Sequence, residues 1–434
     1  MNQPTHVPLL DVERELLLRL LRLPTAGPLE TGQDSAPPRL WEAQHAYAVA
    51  AARLGMAAVR HGPASADWAL RDDVPLAVRQ AVGEIPGFLH SQPSLVLRLG
   101  PTLRTAATVM FNVHLDTVSG MEPVTFDGTR FTGRGAIDAK GPAVALLAGI
   151  RAAAAAEPSI GRDIGVLIQA VSAEEGGAMG TIGTRPLVEA GYYGRLNVFC
   201  EPTGLRYLPR ATAAMTACVR VRGVDAVDDR PEAGHNATVL LGFLAQHLGV
   251  ALAARTGEPR LCVAGLHTGR MHNRVYGTGE LLLNVAYDSP ESGARLESAV
   301  HAAVAEGLEV FTARFGATKE FARTAEDAAH VTTVDWHKRG LPTLTGCDQW
   351  CDDLLGREAG LVRWPDDEPS FSCDAIWMHG RPSTSTVVFG PGLLDRNNAH
   401  APGEYADLAD LERFAAAVAN ILVGFASTHG YGSG

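Results

Sequence analysis

Apolar positions along the chain fall into two regimes. From Leu9 to Leu23 they recur at helical spacing and stop at Pro24; a Gly/Pro/Ser-rich stretch then runs to about Pro38. Leu40 to Gly55 carries the 3.6-residue period again and predicts a second helix. Beyond it, short apolar runs alternate with helical segments. Thr108–Leu115, Ile164–Val171, Leu196–Cys200 and, much later, Thr384–Phe389 predict strands, while Gly141–Ala156 and Gly180–Ala190 predict helices. Continuous apolar strands joined by helices imply a mostly parallel sheet with helices on both faces, an α/β fold. Between about Thr212 and His337 the order changes. Strands at Ala214–Arg222, Leu261–Leu266, Glu280–Tyr287 and Val331–Trp336, with helices at Asn236–Ala253 and Ala294–Phe315, give β-α-β-β-α-β. That is a two-layer α+β unit inserted into the larger domain. The expected division is a discontinuous domain over 1–211 and 339–434 and an inserted domain over 212–338.

Composition narrows the class without changing this picture. At 434 residues the chain exceeds the usual size of one core. A 46% hydrophobic and 20% charged composition is that of a globular protein. Ala143–Ala156 is too short to span a bilayer and contains Arg151, so no membrane partner is expected. Met1–Arg14 lacks the basic-then-apolar order of a signal peptide, which makes the cytoplasm the expected compartment. Net charge is −11, from 48 acidic against 37 basic residues, and no basic patch points to nucleic acid. Six cysteines without regular spacing make no disulfide framework; Cys347 and Cys351 read as two thiols on one helix face.

The chemistry sits at strand ends. Glu174 and Glu175 close the apolar run Ile164–Val171, where unpaired buried charge is costly. Adjacent side chains at a strand terminus diverge, so one carboxylate can bind a metal while its neighbour moves a proton. His114 and Asp116 follow Thr108–Val113 and share one strand face, a spacing that lets the carboxylate orient the imidazole. Asp138 lies in the glycine-punctuated Gly133–Gly141 loop and also reads as a helix N-cap. Glu201 closes the next strand, and His400 follows the Gly390-Pro391-Gly392 turn. Four of these five places fall just past an apolar strand, where ligand sites of open α/β sheets collect. Two imidazoles and several carboxylates suit zinc better than magnesium or calcium, and leave cobalt and manganese open.

With these segments in view, the chain resembles the di-zinc metallopeptidase family of acetylornithine deacetylase, succinyl-diaminopimelate desuccinylase, aminoacylase and carboxypeptidase G-type glutamate carboxypeptidases. The likeness rests on Asn112–Thr117, Gly133–Gly141, Ser172–Gly177, Glu201–Thr203 and Phe389–Glu404, and the inserted domain matches that family's lid. The resemblance implies one zinc on His114 and Glu201, another on Glu175 and His400, and Asp138 bridging them. It further implies Asp116 behind His114, Glu174 as general base, and a cis Asp138–Ala139 bond. The implied activity is hydrolysis of an amide in an N-acyl amino acid, small peptide or related intermediate. A non-hydrolytic amide-forming or acyl-transfer step, or a non-catalytic binding role, stays open as the alternative.

The lid departs from the family pattern. Val227 stands where the family has a His that steadies the oxyanion, and Tyr287 and Ile376 stand where relatives carry Arg. Loss of one oxyanion donor costs a hundredfold or more in rate, about 3 kcal/mol. Asn273 aligns with a substrate-contacting Asn, and His272 and Arg274 beside it are candidates to replace the missing donors. His235 reads as a surface polar residue. A homodimer through the inserted domain is left open by the resemblance.

Overall fold

The computed structural model describes residues 6–256 and 261–430. It divides into two compact units, Met1–Ala211 with Leu344–Gly434, and Thr212–Thr343. The second boundary falls five residues beyond the expected 338. The reason is local: the Tyr287 hydroxyl donates to the Leu341 carbonyl at 2.7 Å, tying that stretch to the smaller unit.

In the larger unit, α1 (Asp11–Leu21), α2 (Leu40–Ala52), β1 (Met56–Gly62), β2 (Ser94–Leu99), β3 (Thr108–His114), α3 (Lys140–Ala156), β4 (Gly165–Val171), α4 (Thr184–Glu189) and β5 (Leu196–Phe199) follow in order. Strand β2 pairs antiparallel with β1 and β4, whereas β4, β3 and β5 are parallel neighbours. The sheet closes with a later parallel strand, Ser385–Val388, beside β5. Every residue of β3 and β4 is buried, as a central strand covered on both faces requires. Val109, Phe111 and Val113 of β3 enter a core with Leu17, Tyr47, Leu146 and Phe414 on the helical face. On the other face Asn112 donates from Nδ2 to Gln169 Oε1 at 2.8 Å and to Thr184 Oγ1 at 3.0 Å. A buried polar network therefore lies on this second face, under α4.

The Ala-rich α3 has the composition that best propagates a helix. It crosses the final helix, Leu408–Gly430, at Gly149, where a Cβ would lie 2.7 Å from the Ala415 carbonyl oxygen. Three corrections to the sequence reading stand out. The predicted helix from Gly180 starts only at Thr184, because Gly180 takes φ +61° and Gly183 φ −98°, ψ −83°. Asp138 does not cap α3; the N-cap position is Ala139, with no side-chain hydrogen bond. The sheet also gains an edge strand, β1, joined to β4 through the antiparallel β2, and the unit ends in a 23-residue helix, none of them predicted from the pattern.

The smaller unit has β6 (Ala213–Arg222), α5 (Ala237–Thr256), β7 (Leu261–His267), β8 (Thr278–Tyr287), α6 (Pro290–Phe315), α7 (Ala322–Val331) and β9 (Thr332–Lys338). The expected order holds with α7 added. The strands form an antiparallel sheet in the order β7-β8-β6-β9. Ala217, Val219 and Val221 alternate inward against Leu244, Val300 and Phe311 of the helices. Between them Arg220 turns outward to Glu280 and Asp335, each at 2.8 Å. Among the described residues no helix is long and apolar enough to cross a membrane.

Candidate metal centre

Because β4, β3, β5 and the Ser385–Val388 strand run parallel, their C-terminal ends share one edge of the sheet. His114 is the last residue of β3, Glu174 and Glu175 lie just past β4, and Glu201 just past β5. Asp138 arrives on the turn before α3 and His400 on the loop after the Ser385–Val388 strand. This is where open α/β sheets place ligands.

Asp138 is the hinge of the cluster. Its Oδ1 lies 2.9 Å from His114 Nε2 and its Oδ2 3.0 Å from His400 Nε2. Glu201 Oε1 is 3.8 Å from His114 Nε2, and Glu175 Oε1 is 3.1 Å from His400 Nε2. Two ligand sets result, His114–Asp138–Glu201 and Asp138–Glu175–His400, each with its donor atoms within 4.8 Å of one another, and they meet at Asp138. A third set joins Glu174 to His114 and Glu175. All of the strand-end residues singled out in the sequence converge here. The Asp138–Ala139 peptide bond is cis.

The electrostatics of the cluster are those of acids crowded around two imidazoles. Burial, reinforced by repulsion from Asp138, pushes the Glu201 carboxyl up to about 8. Burial likewise raises Glu174 and Glu175, with added repulsion from neighbouring carboxylates. His400 is raised to about 10 by its hydrogen bonds to Asp138 and Glu175. Burial alone would lower His114, but Glu201, Asp116 and Asp138 around it win and raise it. So many acids around two imidazoles repel one another, and divalent cations relieve that repulsion. The donor set, nitrogen and oxygen in two groups sharing a carboxylate, fits such ions.

The residues behind the cluster differ in part from expectation. His114 Nδ1 bonds the main-chain carbonyl of Asp116 at 3.0 Å, with the Asp116 carboxylate oxygen Oδ1 farther away at 3.7 Å. The other carboxylate oxygen, Oδ2, accepts from the Glu175 amide at 3.0 Å. Asp116 thus holds the imidazole through its backbone and the Glu175 loop through its side chain.

Glu404, which the sequence reading assigns no role, is a hub. Buried to 1% exposure, it accepts from Arg134 Nη1 at 2.8 Å and from the amides of Gly135, Ile137 and Asp138 at 3.0 to 3.2 Å. It fixes the turn that presents Asp138. The only signal in the sequence is that Arg134 and Glu404 both lie inside motif segments.

Among the inserted-domain candidates, Arg274 is exposed and ion-paired with Asp225, and Asn273 and His272 beside it are exposed. His235 is not a surface residue: it is buried, accepting at Nδ1 from the Val224 amide at 2.8 Å, with Nε2 3.0 Å from Asp327. Of the three departures from the family pattern, Tyr287 and Ile376 are buried core residues, and only Val227 is exposed.

A model of the peptidase family M20/M25/M40 matches residues 110–423. No curated protein sequence matches the chain. Among solved structures, the chain is similar to aminopeptidase PepT from Bacillus cereus (17% identity, 96% of this chain and 98% of that one, TM-score 0.63). It is similar also to human carnosine dipeptidase 1 (16%, 96% and 96%, 0.64). A third is the metallo-carboxypeptidase Sso-CP2 from Sulfolobus solfataricus (13%, 96% and 99%, 0.65). At these identities the likeness is one of fold; the family match, spanning most of the chain, carries the assignment. The chain belongs to the peptidase family M20/M25/M40 and is a metal-dependent hydrolase.

Proposed function

We propose that the protein is a di-zinc amidohydrolase that cleaves the amide of an N-acyl amino acid or short peptide. The observation that carries this reading is Asp138, whose two oxygens reach two imidazoles, each with its own glutamate. His114 and Glu201 would hold one ion, His400 and Glu175 the other, with Asp138 shared. Bound there, divalent cations lower the pKa of water and polarise an amide carbonyl. Glu174 stands beside Glu175 without belonging to either pair, which suits it to take the proton of the attacking water and deliver it to the leaving nitrogen. Glu404 and Asp116 hold the ligand-bearing turns from behind and so orient the cluster.

The test is to load the protein with zinc, measure metal content by elemental analysis, and screen N-acyl amino acids and dipeptides by mass spectrometry of the products. Two equivalents of zinc and release of a free amine are expected. No bound zinc, or full metal with no amide cleaved, would reject the reading. Glu174→Gln should retain both metal equivalents while kcat falls by about a thousandfold, within the range of a lost general base.

A further inference from the structure

The loop that carries Glu174 and Glu175 is a tightly folded coil that runs on through Gly183, past the point where the sequence predicts the next helix to begin. Ala173 enters it at φ +57° and Met179 lies at φ +52°, conformations uncommon for residues with a side chain. The Gly180 amide returns to the Ala173 carbonyl at 2.9 Å, and the Arg185 amide to the Gly180 carbonyl at 2.9 Å. A Cβ on Gly183 would lie 1.9 Å from the Ser172 carbonyl oxygen, so the coil is folded hard back on the end of β4.

A second segment of the same unit, the 3-10 turn Asp374–Met378, grips this coil at three points. The Asp374 carboxylate sits directly on the Cα of Gly180, at φ +61°, where an added Cβ would lie 2.3 Å from both of its oxygens. Asp374 Oδ2 accepts from the Thr184 hydroxyl, which itself accepts from Asn112 Nδ2 on β3. Trp377 Nε1 donates to the Met179 carbonyl at 2.6 Å. Asp374 is fully buried, and its Oδ1 has no hydrogen-bond partner. A buried carboxylate with an orphaned oxygen is costly, and its cost has to be offset by what it positions.

We propose that Asp374 is a positioning residue and that, with Trp377, it clamps the coil from Ala173 to Thr184 so that Glu174 and Glu175 keep fixed directions. This rests on the roles proposed above for those two glutamates. The mechanics follow from the contacts. Gly180 is pinned by Asp374 from outside and bonded to Ala173 from inside, and Ala173 is covalently next to Glu174. Releasing Asp374 therefore frees the backbone step that aims the proposed base, while Glu175 stays tied at its amide to Asp116.

The experiment uses the full-length, zinc-loaded protein and four variants: Asp374→Ala, Asp374→Asn, Thr184→Val and Trp377→Phe. Amide hydrogen exchange followed by mass spectrometry reads the coil directly. N-acetyl amino acids and dipeptides serve as substrate probes. Asp374→Ala, Thr184→Val and Trp377→Phe are expected to raise exchange in peptides covering 173–184 by about tenfold, the scale of one lost hydrogen bond, with β4 and α3 unchanged. For whichever probe is hydrolysed, kcat is expected to fall about tenfold with KM within about twofold and zinc content unchanged. Asp374→Asn should rescue most of the loss, since it keeps an acceptor for Thr184 and the same bulk on Gly180. Unchanged exchange in both Thr184→Val and Trp377→Phe overturns the clamp, even if Asp374→Ala does not fold. Raised exchange with unaltered kcat, or no rescue by Asp374→Asn, overturns the positioning role. If the wild-type protein hydrolyses none of the probes, the proposed activity on N-acyl amino acids and short peptides fails separately and exchange alone decides the clamp.

Discussion

Single side chains at this site earn their places through what they hold. Glu404 shows it best. Its carboxylate accepts four hydrogen bonds, three of them from the backbone of the turn that delivers Asp138. Partners that orient metal-binding groups typically change metal affinity by about 10–100-fold when removed. Glu404→Gln, which gives up the charged pair with Arg134, is therefore expected to weaken zinc binding within that range while leaving both equivalents bound at saturating metal. Competition with a chromophoric chelator measures it, and an unchanged affinity would remove Glu404 from the support of the site. At this scale the sequence is legible where chemistry is local. Two acids closing an apolar strand, or His and Asp two apart at a strand end, are visible without any fold. Arg134 and Glu404 are not, because they are 270 residues apart and neither alone differs from a surface charge. His235 fails for a like reason: it bonds the Val224 amide and Asp327, the latter 92 residues away, and nothing about the residue itself announces them.

Elements obey the same division between near and far. The long apolar runs give β3, β4 and β5 within about one residue, because a strand covered on both faces leaves little else for such a run to be. Edge strand β1 escapes the pattern, since most of it is exposed or half-buried and it carries Arg60 and His61. The end of the coil after β4, from Gly180 to Gly183, is misread as the first turn of a helix because its spacing continues that of the helix behind it, whereas the glycines at 180 and 183 adopt backbone angles no helix allows. Helix against helix, the decisive residue is Gly149 on α3. Gly149→Ala puts a methyl group 2.7 Å from both the Ala415 carbonyl oxygen and the Val418 side chain of the last helix. The two helices would have to part, at a cost of about 1–3 kcal/mol. Urea denaturation should show the midpoint falling without a change in slope, and no loss of stability would mean the crossing has slack.

For the whole molecule, the expectation concerns where metal matters. All three clusters able to hold an ion lie in the larger unit; among the described residues the smaller unit contains none. Ligand linkage stabilises a fold by about 2.7 kcal/mol when free metal is a hundred times its dissociation constant. Chelation is therefore expected to lower the thermal midpoint in a metal-dependent way and to raise hydrogen exchange around His114, Asp138, Glu175, Glu201 and His400. Exchange in the β6–β9 sheet should not move, and a uniform rise through both units would contradict this. The sequence by itself determined the class of fold, the inserted β-α-β-β-α-β unit and the acids and imidazoles available for catalysis. Each of these follows from patterns that neighbouring residues create along the chain, through strand and helix periodicity and the cost of a charge at a strand end. Only the tertiary structure decided which side chains hold those groups still. Glu404 reaches the Asp138 turn and Asp374 reaches Gly180 across stretches of well over a hundred residues. Such pairings exist only after parallel strands have brought their ends to one edge, and no local pattern along the chain records them.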